Sequence, residues 1–437
     1  LLCFVTDMSN LKILCTADLH LGRSSTCIEA PDGIDATAVG AWKRIVSRAI
    51  AGQASAVAIA GDIFDGQGSY YETRTAFLRG LEELDAAGIP VVAVAGNHDW
   101  EALPRFDRQP HPENFHLLGA GGKWESLELK TNAGAVRFLG WSFPQERVPA
   151  PQFGTMPSLS SGIPTVGLIH GDIVPKTPYH PITARDLESS ADAWVVGHVH
   201  RSQPISANSC YPGSPQAFDY GMGEQGPHGF RWLTFEPAAT FSPLEPVSTV
   251  LFHDEELLIE PREGESHWDA AIRTGEDRAR KLRSEQPDLQ SVQLRARAVF
   301  ATSQANLKNP EDHDMSQDGA DAILFVGHRF QPNVDPWDLV ETPKAKGAMA
   351  RLLLGLRHLS EEPDEPRWDP NWRAQAERLV DGAMTDVYSQ YHRTVEAVSD
   401  SGDNSRVPPS AEEARRIARE ALIAELEGML QDPEVVA

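Results

Sequence analysis

The feature that most constrains how this chain folds is repeated punctuation. Five short apolar runs, at 11–16, 56–60, 91–95, 165–169 and 193–196, each stop at a cluster of acid, amide or imidazole residues. Runs of this length bounded by turn residues read as buried strands. Between the first three lie segments of helical period. Val39, Trp42, Ile45, Val46 and Ala49 recur at three and four within 36–51. A second helix is predicted over 70–87, stopped by Gly88 and Pro90. Strand, loop and helix three times over predict an α/β fold with a parallel sheet and right-handed crossovers. Ligands of such sheets lie beyond the carboxyl ends of the strands, so the polar residues there share one edge.

Those residues are Asp18 and His20, then Asp62 with Asp65, then Asn97, His98 and Asp99, then His170, and last His198 and His200. Taken singly, each has an ordinary explanation. A histidine at a strand end is usually a hydrogen-bonded surface or core residue, and a Gly-Asp or His-Asp pair is usually turn chemistry. As a set they differ, because turns would supply Gly, Asn, Ser and Pro rather than histidines in register after successive strands. Mixed imidazole, carboxylate and amide oxygen suits manganese, iron or zinc better than calcium or an all-oxygen magnesium site. Two such cations about 3.5–4 Å apart can hold both oxygens of an in-line phosphoryl displacement and make hydroxide available near neutral pH.

Composition sets outer limits. A chain of 437 residues with 41% hydrophobic content can hold two or three domains. No apolar run reaches the roughly 18 residues of a membrane span, so no membrane contact is expected. The apolar residues 1–5 are too short for a signal segment and lack a preceding basic region. Met8 is a candidate true start. The four cysteines, Cys3, Cys15, Cys27 and Cys210, form no CxxC pair, which suits a reducing, cytoplasmic setting. The net charge of −24 argues against a protein that coats nucleic acid through a global positive field. Residues 1–250 carry about −9 and the remainder about −15, so the tail is the more acidic part.

Beyond residue 110 the texture changes. Segments 115–118, 124–130 and 136–141 read as antiparallel hairpin strands, 145–162 as a Pro- and Ser-rich surface loop, and 229–235 as the final strand of this domain. Strands at 249–260, 291–300 and 322–326 with a helix at 268–283 suggest a small α/β lobe, and 310–319 reads as loose. Helices are predicted at 346–359 and 373–398, then a linker at 399–409 and an amphipathic helix at 411–430. That last helix can pack on its own domain or dock a partner. The expected organisation is a leader (1–10), a main domain (11–245), a cap lobe (246–335) and a helical, partner-binding tail (336–437).

Asp18-x-His20, Gly61-Asp62-x-x-Asp65, Gly96-Asn97-His98-Asp99, His170 and Gly197-His198-x-His200 together resemble the calcineurin-like metallophosphoesterase superfamily, in order and spacing, across about residues 11–235. The resemblance implies a four-layer αββα sandwich. It implies Asp18, His20, Asp62 and His200 around one metal and Asp62, Asn97, His170 and His198 around the other, with Asp62 bridging. His98 would be the catalytic residue that is not a ligand, stabilising the transition state or protonating the leaving oxygen, with Asp65 orienting it or merely capping the next helix. Tyr211-Pro212-Gly213-Ser214-Pro215-Gln216, followed by Gly226-Pro227-His228-Gly229, is similar to the SbcD- and YhaO-type DNA repair exonucleases. That narrower resemblance implies DNA as substrate, two divalent ions with manganese first, and an SbcC-like coiled-coil ATPase as partner. A homodimer is a further expectation, since relatives dimerise through helices beside the active site. Two alternatives stay open: a phosphoesterase for cyclic nucleotides or nucleotides, and a weakly catalytic subunit bridging DNA and an ATPase.

Overall fold

The computed structural model describes residues 11–300, apart from 24, 26–33, 158–161, 175, 189–190, 222, 237 and 287, and beyond them only 315–318, 321–330, 380 and 419. The chain divides into two compact units, Leu1–Val299 with Lys308–Arg329 and Phe300–Leu307 with Phe330–Ala437. The elements below belong to the first unit, save the end residues Phe300 and Phe330. The helices expected at 346–359, 373–398 and 411–430 lie outside the described residues.

The repeated strand–helix pattern builds the first sheet. Strands β1 (Lys12–Thr16), β2 (Ala56–Ala60), β3 (Val91–Val94) and β4 (Phe115–Leu117) run parallel in that order, joined by α1 (Ala38–Ala51), α2 (Gly66–Ala86) and α3 (Ala102–Asp107). β2 and β3 are buried along their whole length, which is why they read as continuous apolar runs rather than alternating ones. Thr37 starts α1 by accepting a hydrogen bond from the Gly40 amide at 3.0 Å. Trp42, Ile45, Phe64, Phe77 and Phe106 fill the layer between the helices and this sheet.

The second sheet contains β5 (Glu125–Thr131), β6 (Gly134–Trp141), β7 (Thr165–His170), β8 (Ala193–Gly197), β9 (Gln203–Ser206) and β10 (Ser209–Tyr211), in the order β5-β6-β7-β8-β10-β9. The sheets face each other across Ile13, Cys15, Ala58, Val92, Phe138, Leu168 and Val195. Ile182 and Leu187, the latter in α4 (Ala184–Glu188), cover the outer side over Ile169, Trp194 and Val196. The result is helices, sheet, sheet and a thin outer layer, with the exits of β1–β3 and of β7–β8 brought to a common edge.

Several expectations need correction. The first sheet is mixed, because β11 (Gly229–Phe235) pairs antiparallel with β1 and carries β12 (Ala239–Phe241) and β13 (Glu245–Pro246) on it. Segment 115–118 does not enter a hairpin, since β4 adds in parallel to β3. Within 145–162, residues Phe153–Thr155 form a single 3-10 turn, and the indole of Trp124 donates to Gln152 O at 3.1 Å.

The third sheet has the order β14-β15-β17-β16, from β14 (Val250–Ile259), β15 (Ser291–Phe300), β16 (Met315–Asp318) and β17 (Asp321–Phe330), with α5 (His267–Ser284) against it. β16 replaces part of the segment expected to be loose, and it pairs with β17 through Met315↔Leu324 to Asp318↔Asp321. Among the described residues, no helix is long and apolar enough to cross a membrane.

Candidate metal centre

The register of the strands decides what meets at the common edge. Cys15 sits beside Ala58, Ala60 beside Val94, and His170 beside Gly197, so the exits end level with one another. The backbone then turns sharply. Asp18, His20, Asp62 and His198 all have positive φ, between 45° and 102°, and among the described non-glycine residues only Gln53 and His180 share this. Such conformations cost about 1–3 kcal/mol each and collect where a side chain must be aimed. The glycines are required by close approach. A Cβ on Gly96 would stand 2.2 Å from Asp62 Oδ1, and one on Gly197 would stand 1.8 Å from Ala60 O.

All the strand-exit residues singled out above meet here. Each of four imidazoles turns one nitrogen outward to an oxygen and one inward. His20 Nδ1 pairs with Asp65 Oδ1 at 3.0 Å and His200 Nδ1 with Glu224 Oε1 at 2.5 Å. Their Nε2 atoms then face each other at 3.0 Å. His170 Nδ1 donates to Ala60 O at 2.9 Å, and His198 Nε2 lies 3.6 Å from Asp172 Oδ2. The inward nitrogens of His170 and His198 approach Asn97 Oδ1 at 3.0 and 3.2 Å. Asp62 lies between the two groups, its Oδ2 being 3.3 Å from His170 Nε2 and 3.9 Å from His20 Nε2. Asp18 accepts from the His198 amide at 3.0 Å and joins both the Asp18–His20–His200 and the Asp18–Asp62–His170 groups, whose ligand atoms lie within 4.8 Å of one another.

Inward nitrogens and oxygens this close repel unless a proton or a cation lies between them. This donor set therefore fits divalent transition-metal ions, with imidazole, carboxylate and amide oxygen from a buried edge. The charge balance agrees. Burial works to raise the Asp62 carboxyl, but His170 and its neighbours hold it well below the ordinary carboxylate range. Burial lowers His170, and the Asp62 charge overrides it, pushing the ring up to about 9. Burial lowers His20 below its ordinary value despite the bond to Asp65.

His98 stands apart from these groups at the mouth, with its side chain 48% exposed. Its amide donates to Asp62 Oδ1 at 2.9 Å, its ring is edge-on to His20 at 4.9 Å, and its Nδ1 lies 3.4 Å from Asp65 Oδ1. The bond to Asp65 raises its pKa to about 9, against the effect of burial and with help from Asp62. Asp65 occupies the N-cap position of α2, yet its side chain makes no capping hydrogen bond. It reaches the two histidines instead.

Three carboxylates outside the expected ligand set complete the edge. Asp99 is fully buried and accepts from Gly96 N at 2.8 Å and from Ile63 N at 2.7 Å, tying two exit loops together. Burial first, then the nearby Asp62 charge, raises it to about 7. Its place in the sequence, beside His98, gave it no role. Glu224 and Asp172 hold His200 and His198; Asp172 stands two residues after His170 at the end of the 165–169 run, where it had no assigned role, whereas Glu224 follows no apolar run. For Glu224 the sole sequence signal is its place just before Gly226-Pro227-His228-Gly229.

Residues 11–220 match the family model described as calcineurin-like phosphoesterase. A metallophosphoesterase of Bacillus subtilis named YhaO and described as uncharacterized is 26% identical over 227 residues, 48% of this chain and 54% of the relative. The chain thus spans about half the length of the curated relative it matches. Among solved structures, a dimetal phosphatase from Danio rerio aligns with 51% of this chain and 92% of its own at 14% identity and a TM-score of 0.32. The calcineurin-like phosphoesterase YfkN from Bacillus subtilis aligns with 53% of this chain and 89% of its own at 13% identity and a TM-score of 0.33. Residues 11–220, which bring the full set of strand-exit residues to one edge, are similar to the calcineurin-like phosphoesterases.

Proposed function

We propose that this chain is a two-metal phosphodiesterase that cuts DNA at ends or in single strands, working with an SbcC-like coiled-coil ATPase. The observation that carries the hydrolytic part is the pair of inward-facing donor groups with Asp62 between them. Asp18, His20, Asp62 and His200 would hold one ion, and Asp62, Asn97, His170 and His198 the other. Two such ions supply Lewis acidity toward a phosphoryl oxygen and make water acidic enough to yield a nucleophile near neutral pH. Manganese heads the candidates, with iron and zinc next.

The protein's own part is proton management and alignment. Asp65 keeps His98 charged, and the ring nitrogen it does not hold, Nε2, is the one free to protonate the leaving oxygen. The absence of a Cβ at Gly96 and Gly197 leaves room for Asp62 and His170, which an added Cβ would meet at 2.2 Å and 2.6 Å. The DNA assignment is supported by the 211–216 and 226–229 motifs, with Ser214 N bonded to His200 O at 2.9 Å, and by the third sheet following directly after the phosphoesterase domain. The ATPase, and a second copy of this chain, are assigned on resemblance.

The experiment is hydrolysis of single-stranded DNA, duplex ends and cyclic nucleotides by the purified chain with Mn2+, with and without the ATPase. The expected result is DNA turnover that His98→Ala lowers about 10²–10⁴-fold while metal content holds. Turnover of cyclic nucleotides with DNA left intact would replace the DNA assignment. Normal turnover by His98→Ala would remove His98 from the chemistry.

A further inference from the structure

His200 is the last of the strand-exit histidines, and its orientation comes from outside the five exit loops. Glu224 lies on the segment between β10 and β11, and its side chain is only 6% exposed. Both of its oxygens are used. Oε1 meets His200 Nδ1 at 2.5 Å and Arg23 at 3.3 Å, and Oε2 accepts from Phe218 N at 3.2 Å. The backbone of the same segment is also pinned. Glu224 O meets His228 Nε2 at 3.0 Å, and His228 Nδ1 meets Ser214 Oγ at 2.8 Å.

The next residue ties the segment to the third sheet. Gln225 Nε2 donates to Asp254 Oδ2 at 3.1 Å, on β14, and Gly226 N donates to Phe252 O at 3.2 Å. Arg295 on β15 donates to Asp254 Oδ1 at 2.8 Å and lies over the Tyr220 ring at 4.7 Å. Glu224 is therefore a buried carboxylate with little freedom to move.

An ionised carboxylate only accepts hydrogen bonds, so the His200 nitrogen it meets must carry the proton. In the neutral ring the lone pair is then on the other nitrogen, Nε2, which faces His20 Nε2 in the group that includes Asp18. We propose that Glu224 is a positioning residue of the metal centre: it fixes the tautomer and ring angle of His200, so that the ion held by Asp18, His20 and His200 binds tightly. This rests on the two-metal reading above. Glu224 touches neither ion nor substrate in this role, and acts through His200.

The test measures metal uptake by the full chain, separately from turnover. Mn2+ is titrated by calorimetry, and the spin-resonance spectrum is followed for the signature of two coupled ions. The wild type is expected to take up two ions. Glu224→Met, which keeps the volume and removes the acceptor, is expected to bind one ion normally and the other about 10–100-fold more weakly, with the coupled signature lost at intermediate Mn2+. Glu224→Asp, which keeps a carboxylate, is expected to recover part of that loss, and it serves as the test if Glu224→Met fails to fold. Two ions in the wild type and equal affinities in the variants would overturn the role of Glu224 alone. Fewer than two ions in the wild type would overturn the two-metal reading and this inference with it.

Discussion

Replacing Asp65 by Asn separates two jobs that one carboxylate performs. Asp65 Oδ1 lies 3.0 Å from His20 Nδ1 and 3.4 Å from His98 Nδ1. Its bond is the largest cause of the rise of His98 from 6.5 to about 9. The sign is that of a raised base: the protonated form prevails below the folded value and is lost as pH rises through it. At pH 8 a group with a pKa near 9 is about 90% protonated and one near 6.5 about 3%, so the ceiling on the loss is roughly 30-fold. His98 is 48% exposed, and solvent screening brings the expectation to roughly 10-fold. The assay is kcat against pH from 6 to 9.5 with saturating Mn2+ and metal content measured in parallel. The alkaline limb should move to lower pH, with little change near pH 6. A uniform drop at every pH, with metal lost, would show that Asp65 acts through His20 and would refute the reasoning about His98.

Three other outcomes follow from the same edge. Asp99→Asn turns one oxygen that accepts a buried amide into a donor facing it, and should cost about 1–3 kcal/mol in denaturant unfolding with unchanged m. Gly96→Ala places a Cβ 2.2 Å from Asp62 Oδ1, and should weaken Mn2+ binding at least about tenfold in a protein that still folds. Since His170 is raised to about 9, it carries a proton at pH 7 that metal must displace. Mn2+ uptake should release protons, and below the folded pKa affinity should fall by about tenfold for each unit that pH is lowered, per proton displaced. Calorimetry in buffers of different ionisation enthalpy measures this, and absence of release at pH 7 would contradict it.

The parts of the structure visible in the sequence are those written in local pattern. β1, β2, β3, β7 and β8 are buried on both faces, so each is a continuous apolar run with a clear end, and the residues after each end are the ones that meet. What escaped is set by pairing at a distance. β4 is three residues long, and only its neighbour β3 decides that it runs parallel. β9 and β10 carry Ser206 and Ser209, and β9 also Pro204, which is acceptable because β9 is at the edge of its sheet. Glu224 reaches His200 because the segment before β11 is held against β14, and no local spacing expresses that. Asp99 was visible as a neighbour of His98, but its task depends on amides of another loop, at Ile63 and Phe64.

Two metal ions held at the strand exits, with Asp62 between them, would carry the proposed hydrolysis. The most direct measurement is the metal content of the purified chain after incubation with Mn2+ and removal of the excess, for the wild type and for Asp62→Asn. The wild type is expected to hold two ions per chain, and the variant to lack at least one. A wild type that retains no transition metal, or an Asp62→Asn protein that retains both ions, would contradict that.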